Sequence, residues 1–145
     1  MRADAVLRLP ATAEALRELY PWLEDTGLAA GIPPAVLSRM HVAAEEAVSN
    51  AVRHGIPPGA AAEIILTLRV ADAAAELILE DPGIPFDPAA APLPERSRDL
   101  AEITPGGWGL GLLRRFCPQI SYSRVGDANR LTLRYPIGAG SNQES

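Results

Sequence analysis

Apolar residues recur along the chain with two periods, and the switching between them lays out a sequence of strands and helices. Val6 to Leu9 is a short aliphatic run ended by Pro10 and reads as an opening strand. From about Thr12, whose hydroxyl can cap free amides, Ala15, Leu16, Leu19, Tyr20 and Leu23 fall at helical spacing. Pro21 removes a backbone donor and clashes one turn back, so the pattern predicts a kink or break near Tyr20, with Gly27 ending the element. Pro33 and Pro34 suit the first turn of a second helix, running to His54 and stopping at Gly55 ahead of Pro57 and Pro58. At about 100° per residue, Leu37, Met40, Ala44, Ala47, Val48, Ala51 and Val52 share one broad face of this helix. Glu46, Asn50 and Arg53 are predicted to cluster opposite it.

The period then drops to two. Glu63 to Val70 and Ala75 to Glu80 are β-like, with Ile64, Leu66, Leu68 and Val70 on one side, and predict an antiparallel hairpin through Ala71 to Ala74. Asp87 to Pro105 is rich in Pro, Ala and charge and long for a compact domain, which suggests a lid, with one helical turn over Ser97 to Glu102. Leu110 to Phe116 opens a third helix, Ile120 to Val125 and Arg130 to Tyr135 form a second hairpin around Gly126 to Asn129, and Gly138 to Ser145 resembles a frayed tail. The order predicts an α+β fold, a two-layer α/β sandwich with helices on one face of a mainly antiparallel sheet, over residues 1–137, followed by a tail at 138–145.

Composition narrows the picture. A chain of 145 residues suits one domain, since domains take roughly 100 to 200 residues. Its residues are 48% hydrophobic but only 5% aromatic, so Leu, Ile, Val and Ala must fill the core. A net charge of −5 and a pI near 5.0 argue against a nucleic-acid partner, which is bound by neutralising phosphates with Lys and Arg. Met1 to Pro10 carries Arg2, Asp4 and Arg8 and no long apolar run, so neither a signal peptide nor a membrane span is expected and the cytoplasm is the default location. Cys117 is the single cysteine, excludes an intramolecular disulfide, and reads as a core residue beside Phe116. His41 and His54 give no zinc-ligand spacing with it.

Three segments carry candidate chemistry. Glu46 and Asn50 stand one helical turn apart and either belong to a solvated face or both reach one ligand, the amide oxygen ligating a hard cation and the carboxylate orienting or deprotonating a nucleophile. Glu45 points about 100° away and does not share Asn50's side. Asp81-Pro82-Gly83 is either an ordinary turn or an acceptor for the exocyclic amine of adenine, with Gly83 letting the backbone approach the base. Gly107, Gly109 and Gly111, around Trp108 and Leu110, make either a flexible hinge or a phosphate cradle at a helix N-terminus. No Gly-Lys-Ser/Thr follows, so this is not a Walker motif.

Read together, EAVSNAVRHG from Glu46 to Gly55, EDPGIPFDP from Glu80 to Pro88, GGWGLGLLRRF from Gly106 to Phe116 and SYSRVGDANRLTLRY from Ser121 to Tyr135 resemble the RsbW-type anti-sigma factor serine kinases of the GHKL ATPase superfamily. The resemblance spans residues from about 5 to 136. It implies a Bergerat ATP-binding fold that uses ATP and Mg²⁺, with Glu46 as general base, Asn50 as Mg²⁺ ligand, Asp81 and Gly83 at adenine, and Gly107, Gly109 and Gly111 at the lid hinge and phosphates. It also implies a homodimer that binds a sigma factor and phosphorylates a serine on an antagonist protein. Two alternatives stand beside it: a nucleotide-gated binding module without efficient transfer, and a detached ATPase domain like that of a sensor histidine kinase. The latter needs a phosphoacceptor helix pair, and both histidines lie instead on the helix bearing Glu46.

Overall fold

The computed structural model describes residues 4–56, 61–87 and 109–137. Five strands, β1 (Ala5–Pro10), β2 (Glu63–Ala71), β3 (Ala74–Asp81), β4 (Gln119–Val125) and β5 (Ala128–Pro136), form one sheet in the order β1-β2-β3-β5-β4. Every neighbouring pair is antiparallel. Three helices, α1 (Leu16–Ala29), α2 (Pro34–Asn50) and α3 (Gly109–Phe116), cover one face of it. The layering and the order of elements are those the hydrophobic periods predict.

Strand alternation sends Leu9, Ile64, Leu66, Leu68, Leu77, Leu79, Leu131 and Leu133 to the helix side, where they meet Leu19, Leu23, Leu37, Met40, Val48 and Leu113. Burying one such side chain is worth about 1.5–3 kcal/mol, so this aliphatic layer is the main source of stability. The other sheet face carries the ion pairs Arg8–Glu63, Arg69–Glu76, Arg134–Glu76 and Arg130–Glu80. Exposed pairs contribute about 0–1 kcal/mol each. Their stronger effect is on register: Glu76 stands opposite both Arg69 and Arg134, and a slip of one residue would turn these charges into the core.

The structure departs from the predicted pattern in α1. The helix follows a 3₁₀ turn at Ala13–Ala15, without a side-chain cap from Thr12, and runs unbroken through Pro21. Leu19 and Leu23 on either side of Pro21 are both fully buried, and their packing offsets the lost backbone bond. Gly27 lies inside the helix and does not end it. The terminator is Gly31, at φ +88, whose N–H donates to the Leu28 carbonyl while that of Ile32 donates to the Gly27 carbonyl, at 3.1 and 3.0 Å. This pair of bonds is a Schellman motif. Gly27 serves packing instead: a Cβ there would stand 2.3 Å from Cδ2 and 3.0 Å from Cδ1 of Leu37 on α2.

Two further boundaries move. The helix expected to reach His54 changes pitch after Asn50 into a π-helical turn, Ala51–Gly55, with the Ile56 N–H donating to the Ala51 carbonyl at 3.1 Å. The hairpin loops contract to two residues: Asp72 and Ala73 take φ 53 and 63, as the tightest hairpin turns require, and Gly126 takes φ +61 ahead of Asp127. Ala128 and Asn129 therefore belong to β5 and not to a loop.

Cys117 is buried, as a core residue should be, and Tyr135 ties β5 to the end of α3 by donating to the Phe116 carbonyl at 2.6 Å. Burial is the first cause of the raised pKa of both groups. Among the described residues no helix is long and apolar enough to cross a membrane. The segment expected as a lid beyond Asp87, with Gly106, Gly107 and Trp108, and the tail at 138–145 lie outside the described residues.

The seating of Leu37 on Gly27 predicts an inverted glycine effect. Gly27→Ala should destabilise the domain by about 1–3 kcal/mol through overpacking, where a helical Gly→Ala change normally stabilises by about 1. In a Leu37→Ala background the same substitution should become neutral or stabilising. Urea unfolding of the four proteins of this cycle measures both signs.

Candidate functional site

The last turn of α2 reaches the ends of β3 and β5, and the side chains meeting there enclose a cavity of about 40 Å³. Ala47, Ala51, Ile64, Leu79 and Leu131 give it apolar walls, and Asn50, Asp81, Phe86, Tyr122 and Asn129 complete its lining. Two of the sequence-derived candidates, Asn50 and Asp81, are thus brought together from distant parts of the chain. Glu46 lies one helical turn before Asn50, outside the lining.

Of the two readings open for Asn50, the solvated face is not realised: it is only 5% exposed. α2 is packed by α1 and α3 as well as by the sheet, which widens its buried arc beyond the apolar stripe. Ala43, two turns before Asn50 on the same side, is wholly buried too. Within this covered flank, Oε1 of Glu46 and Nδ2 of Asn50 have no hydrogen-bond partner. Native interiors rarely leave such atoms unpaired, because each costs about 1–3 kcal/mol in lost hydration.

Glu46 is half-buried, and its pKa is raised, first by desolvation and then by the neighbouring charge of Glu45, with Arg53 acting in the opposite sense. This is the direction in which a carboxylate becomes a better proton acceptor near neutral pH.

Asp81 ends β3 and turns its Oδ1 back on its own loop, accepting from the Gly83 N–H at 2.8 Å and from Nδ2 of Asn129 at 3.1 Å. The ordinary turn reading of Asp-Pro-Gly is therefore realised. It does not exhaust the side chain, since an ionised carboxylate has about four acceptor sites. Gly83 is buried, and both its backbone groups are engaged, the N–H with Asp81 and the carbonyl with Nη1 of Arg124 at 2.7 Å.

Asn129, read from sequence as part of a loop, is buried at the centre of this cluster. Its Oδ1 accepts from the Phe86 N–H at 3.3 Å, from Nη1 of Arg124 at 3.1 Å and from the Tyr122 hydroxyl, and its Nδ2 donates to Asp81 and, at 2.8 Å, to the Ile84 carbonyl. The signal was present in the alternation of Leu131, Leu133 and Tyr135, which extends two residues back to Asn129 once the turn is cut to Gly126-Asp127.

Gly109 and Gly111 lie in the first turn of α3, which packs against α2. The first amides of a helix have no intrahelical acceptor, so glycines there present backbone donors without a covering side chain. Gly107 falls outside the described residues. His41 packs edge-on against Tyr20 of α1, with ring centroids 4.9 Å apart, away from the cavity, and His54 falls in the π-helical turn.

The cavity beneath the end of α2 thus sets apolar walls beside the acceptor carboxylate of Asp81 and the buried amide of Asn50. The chain belongs to the histidine kinase-like ATPase domain family, whose model matches residues 9–135, and within it to the RsbW-type protein serine/threonine kinases. It is 36% identical over 127 residues to the serine/threonine-protein kinase BtrW of Bordetella bronchiseptica, covering 88% of this chain and 89% of that one. Among solved structures, that of the RsbU and RsbW domains of Rv1364c from Mycobacterium tuberculosis shares the fold with a TM-score of 0.67 at 18% identity. The match covers 93% of this chain but spans 32% of the Rv1364c chain.

The raised pKa of Glu46 makes a prediction about stability. A carboxyl whose folded pKa lies above its unfolded value favours the fold below the unfolded pKa, and that contribution is lost as pH rises through the folded value. Glu46→Gln should therefore melt at a higher temperature than wild type at pH 7–8. The difference should vanish as pH falls below about 4, the ordinary range of a glutamate. Paired melting curves across this range check it.

Proposed function

We propose that the protein is an ATP-dependent serine kinase and anti-sigma factor, a homodimer that binds a sigma factor and phosphorylates a serine on that factor's antagonist protein. The observation that carries this reading is the pairing of two buried polar atoms without partners, on Glu46 and Asn50, beside a cavity reached by Asp81. A carboxylate and an amide desolvated in that way suit a bound, charged ligand. The likeness to BtrW, a serine/threonine-protein kinase, supports the reaction class, and the fold shared with an RsbW domain supports the regulatory setting.

In this reading adenine enters the apolar slot and its exocyclic amine donates to Asp81, a charge-assisted bond worth about 1.5–3 kcal/mol. With both backbone groups of Gly83 engaged, its part at the base is the missing Cβ, which leaves the ring room to approach. Gly109 and Gly111, in the first turn of α3, would put backbone amides toward the phosphates, the role the family resemblance also gives to Gly107. The orphaned amide of Asn50 fits a Mg²⁺ site, because a half-turn of the group presents its carbonyl oxygen in place of the NH₂. When bound, Mg²⁺ supplies charge neutralisation along the phosphates.

Glu46 orients the acceptor serine and takes its proton. The serine oxygen bonds to the γ-phosphorus, and the bond from that phosphorus to the β–γ bridging oxygen breaks. ADP leaves with the electron pair. Burial that raises the pKa of Glu46 serves this step, which needs a base stronger than an exposed carboxylate.

Transfer of labelled γ-phosphate to a purified candidate antagonist protein is the test. Glu46→Gln should lower transfer by about 10²-fold or more, the usual contribution of a general base, while ATP and sigma-factor binding stay within a few-fold of wild type. Asp81→Asn should weaken ATP about tenfold or more in calorimetric titration, and Asn50→Ala should weaken only the Mg²⁺-dependent part. Wild type that binds Mg-ATP and its partners but transfers no phosphate would replace the kinase by a nucleotide-gated binding module.

A further inference from the structure

We propose that Asn129 is a positioning residue for base selection: by pinning one oxygen of Asp81 it leaves the other as a fixed acceptor, so that preference for an amino-bearing purine is set partly from the β4–β5 hairpin. The inference rests on the nucleotide reading of the cavity.

Sheet register brings the parts together. Asp81 stands directly opposite Asn129, and Asn129 directly opposite Arg124, so the three side chains form a row across β3, β5 and β4. The orientation of the Asn129 amide is imposed by this row. Every group facing Oδ1 is a donor, namely the Tyr122 hydroxyl, Nη1 of Arg124 and the Phe86 N–H, and both groups facing Nδ2 are acceptors, Asp81 Oδ1 and the Ile84 carbonyl. A flipped amide would set its NH₂ against two groups that can only donate, the Arg124 guanidinium and the Phe86 N–H, and its oxygen against two acceptors. The bond from Nδ2 to Asp81 is therefore built in.

Two donors on one oxygen, Nδ2 of Asn129 and the Gly83 N–H, stop the Asp81 carboxylate from turning. The loop bearing it is held at three further points, Gly83 by Arg124 and Ile84 and Phe86 by Asn129. An ionised carboxylate only accepts, so a fixed one rewards the amine of adenine and opposes the carbonyl oxygen that guanine carries at that edge. A carboxylate free to rotate away would still tolerate adenine but would oppose guanine less. Asn129 buried without a donor role would need no such alignment of partners.

The experiment measures ATP and GTP affinities of the full chain by calorimetry, with melting curves to show that each variant is folded. Asn129→Ala should lower the ATP-to-GTP affinity ratio at least tenfold. Arg130→Gln, one residue along the same strand but on the opposite sheet face, where it pairs with Glu80, touches neither the cavity nor Asp81, so its ratio should stay within about twofold of wild type. Asn129→Asp keeps an acceptor for Tyr122, Arg124 and Phe86 but sets a second carboxylate against Asp81. Two carboxylates at hydrogen-bond distance do not both hold their charge readily, even beside Arg124, so its ATP affinity should fall as pH rises and recover as pH is lowered and a proton is shared. A wild-type ratio in folded Asn129→Ala, an equal loss in Arg130→Gln, or a flat pH profile in Asn129→Asp would overturn the positioning role alone. A wild type that binds no nucleotide would overturn the nucleotide reading with it.

Discussion

Where α2 crosses the sheet, a seam that is apolar for most of its length ends in polar groups, and the site depends on their being desolvated along with the rest. Met40, Ala44 and Val48 are drawn onto the sheet by the burial of Leu66, Leu77 and Leu133. Asn50 follows the buried Ala43 and Ala47 at spacings of seven and three on the same rigid helix, so it shares their covered side and has no freedom to stay in water. The cost of its unpaired amide atom and of the one on Glu46, about 1–3 kcal/mol each, is small against several aliphatic side chains worth about 1.5–3 each. Directly after Asn50 the helix loosens into a π-helical turn, a distortion that is frequent at functional sites. The strong part of the fold thus holds the weak part in place.

In the proposed function Asp81 lets a turn and a binding group share one side chain. A short strand end followed by proline needs a local acceptor to close the turn, and Oδ1 supplies it to the Gly83 N–H. Spending one oxygen on the loop leaves the other committed in direction, because the turn and Asn129 together remove the carboxylate's rotational freedom. Choosing between a structural and a binding role for an Asp-Pro-Gly segment therefore poses a false alternative. The first role is what gives the second its geometry.

Most of the architecture was legible because the hydrophobic period reports burial directly: strands and helices fell in the right order, and Leu37, Met40, Ala44, Ala47 and Val48 faced the core as their spacing required. The failures have local physical causes. Pro21 and Gly27 carry the signs of a helix end, yet tertiary burial of Leu19 and Leu23 carried the helix past the first, and the seat for Leu37 explains the second. The choice between a solvated face and a buried site for Asn50 stayed open because a wheel drawn for one packing surface cannot show that α1 and α3 cover two more sides. Asn129 was hidden by a turn assumed to span four residues where two suffice, which reversed no face but removed the residue from the strand that aims it. The contacts of Asn129 with Phe86 and Ile84 join residues more than 40 positions apart, a relation that no local pattern carries.

With Glu46 as the proposed base, its energetics bind stability to chemistry in a single group. Its surroundings disfavour the ionised form in the resting fold, chiefly by desolvation, and that is also what makes the anion eager for a proton. Moving Glu46 into water would relieve the fold and weaken the base together. Pairing it closely with a cation would settle its charge at the expense of its basicity. Arg53, two turns along the helix and exposed, takes the intermediate course: it lowers the pKa without cancelling the effect of burial. A helix whose apolar face is anchored deeply enough to hold a discontented carboxylate is what this compromise requires, and α2, packed on three sides, meets that requirement.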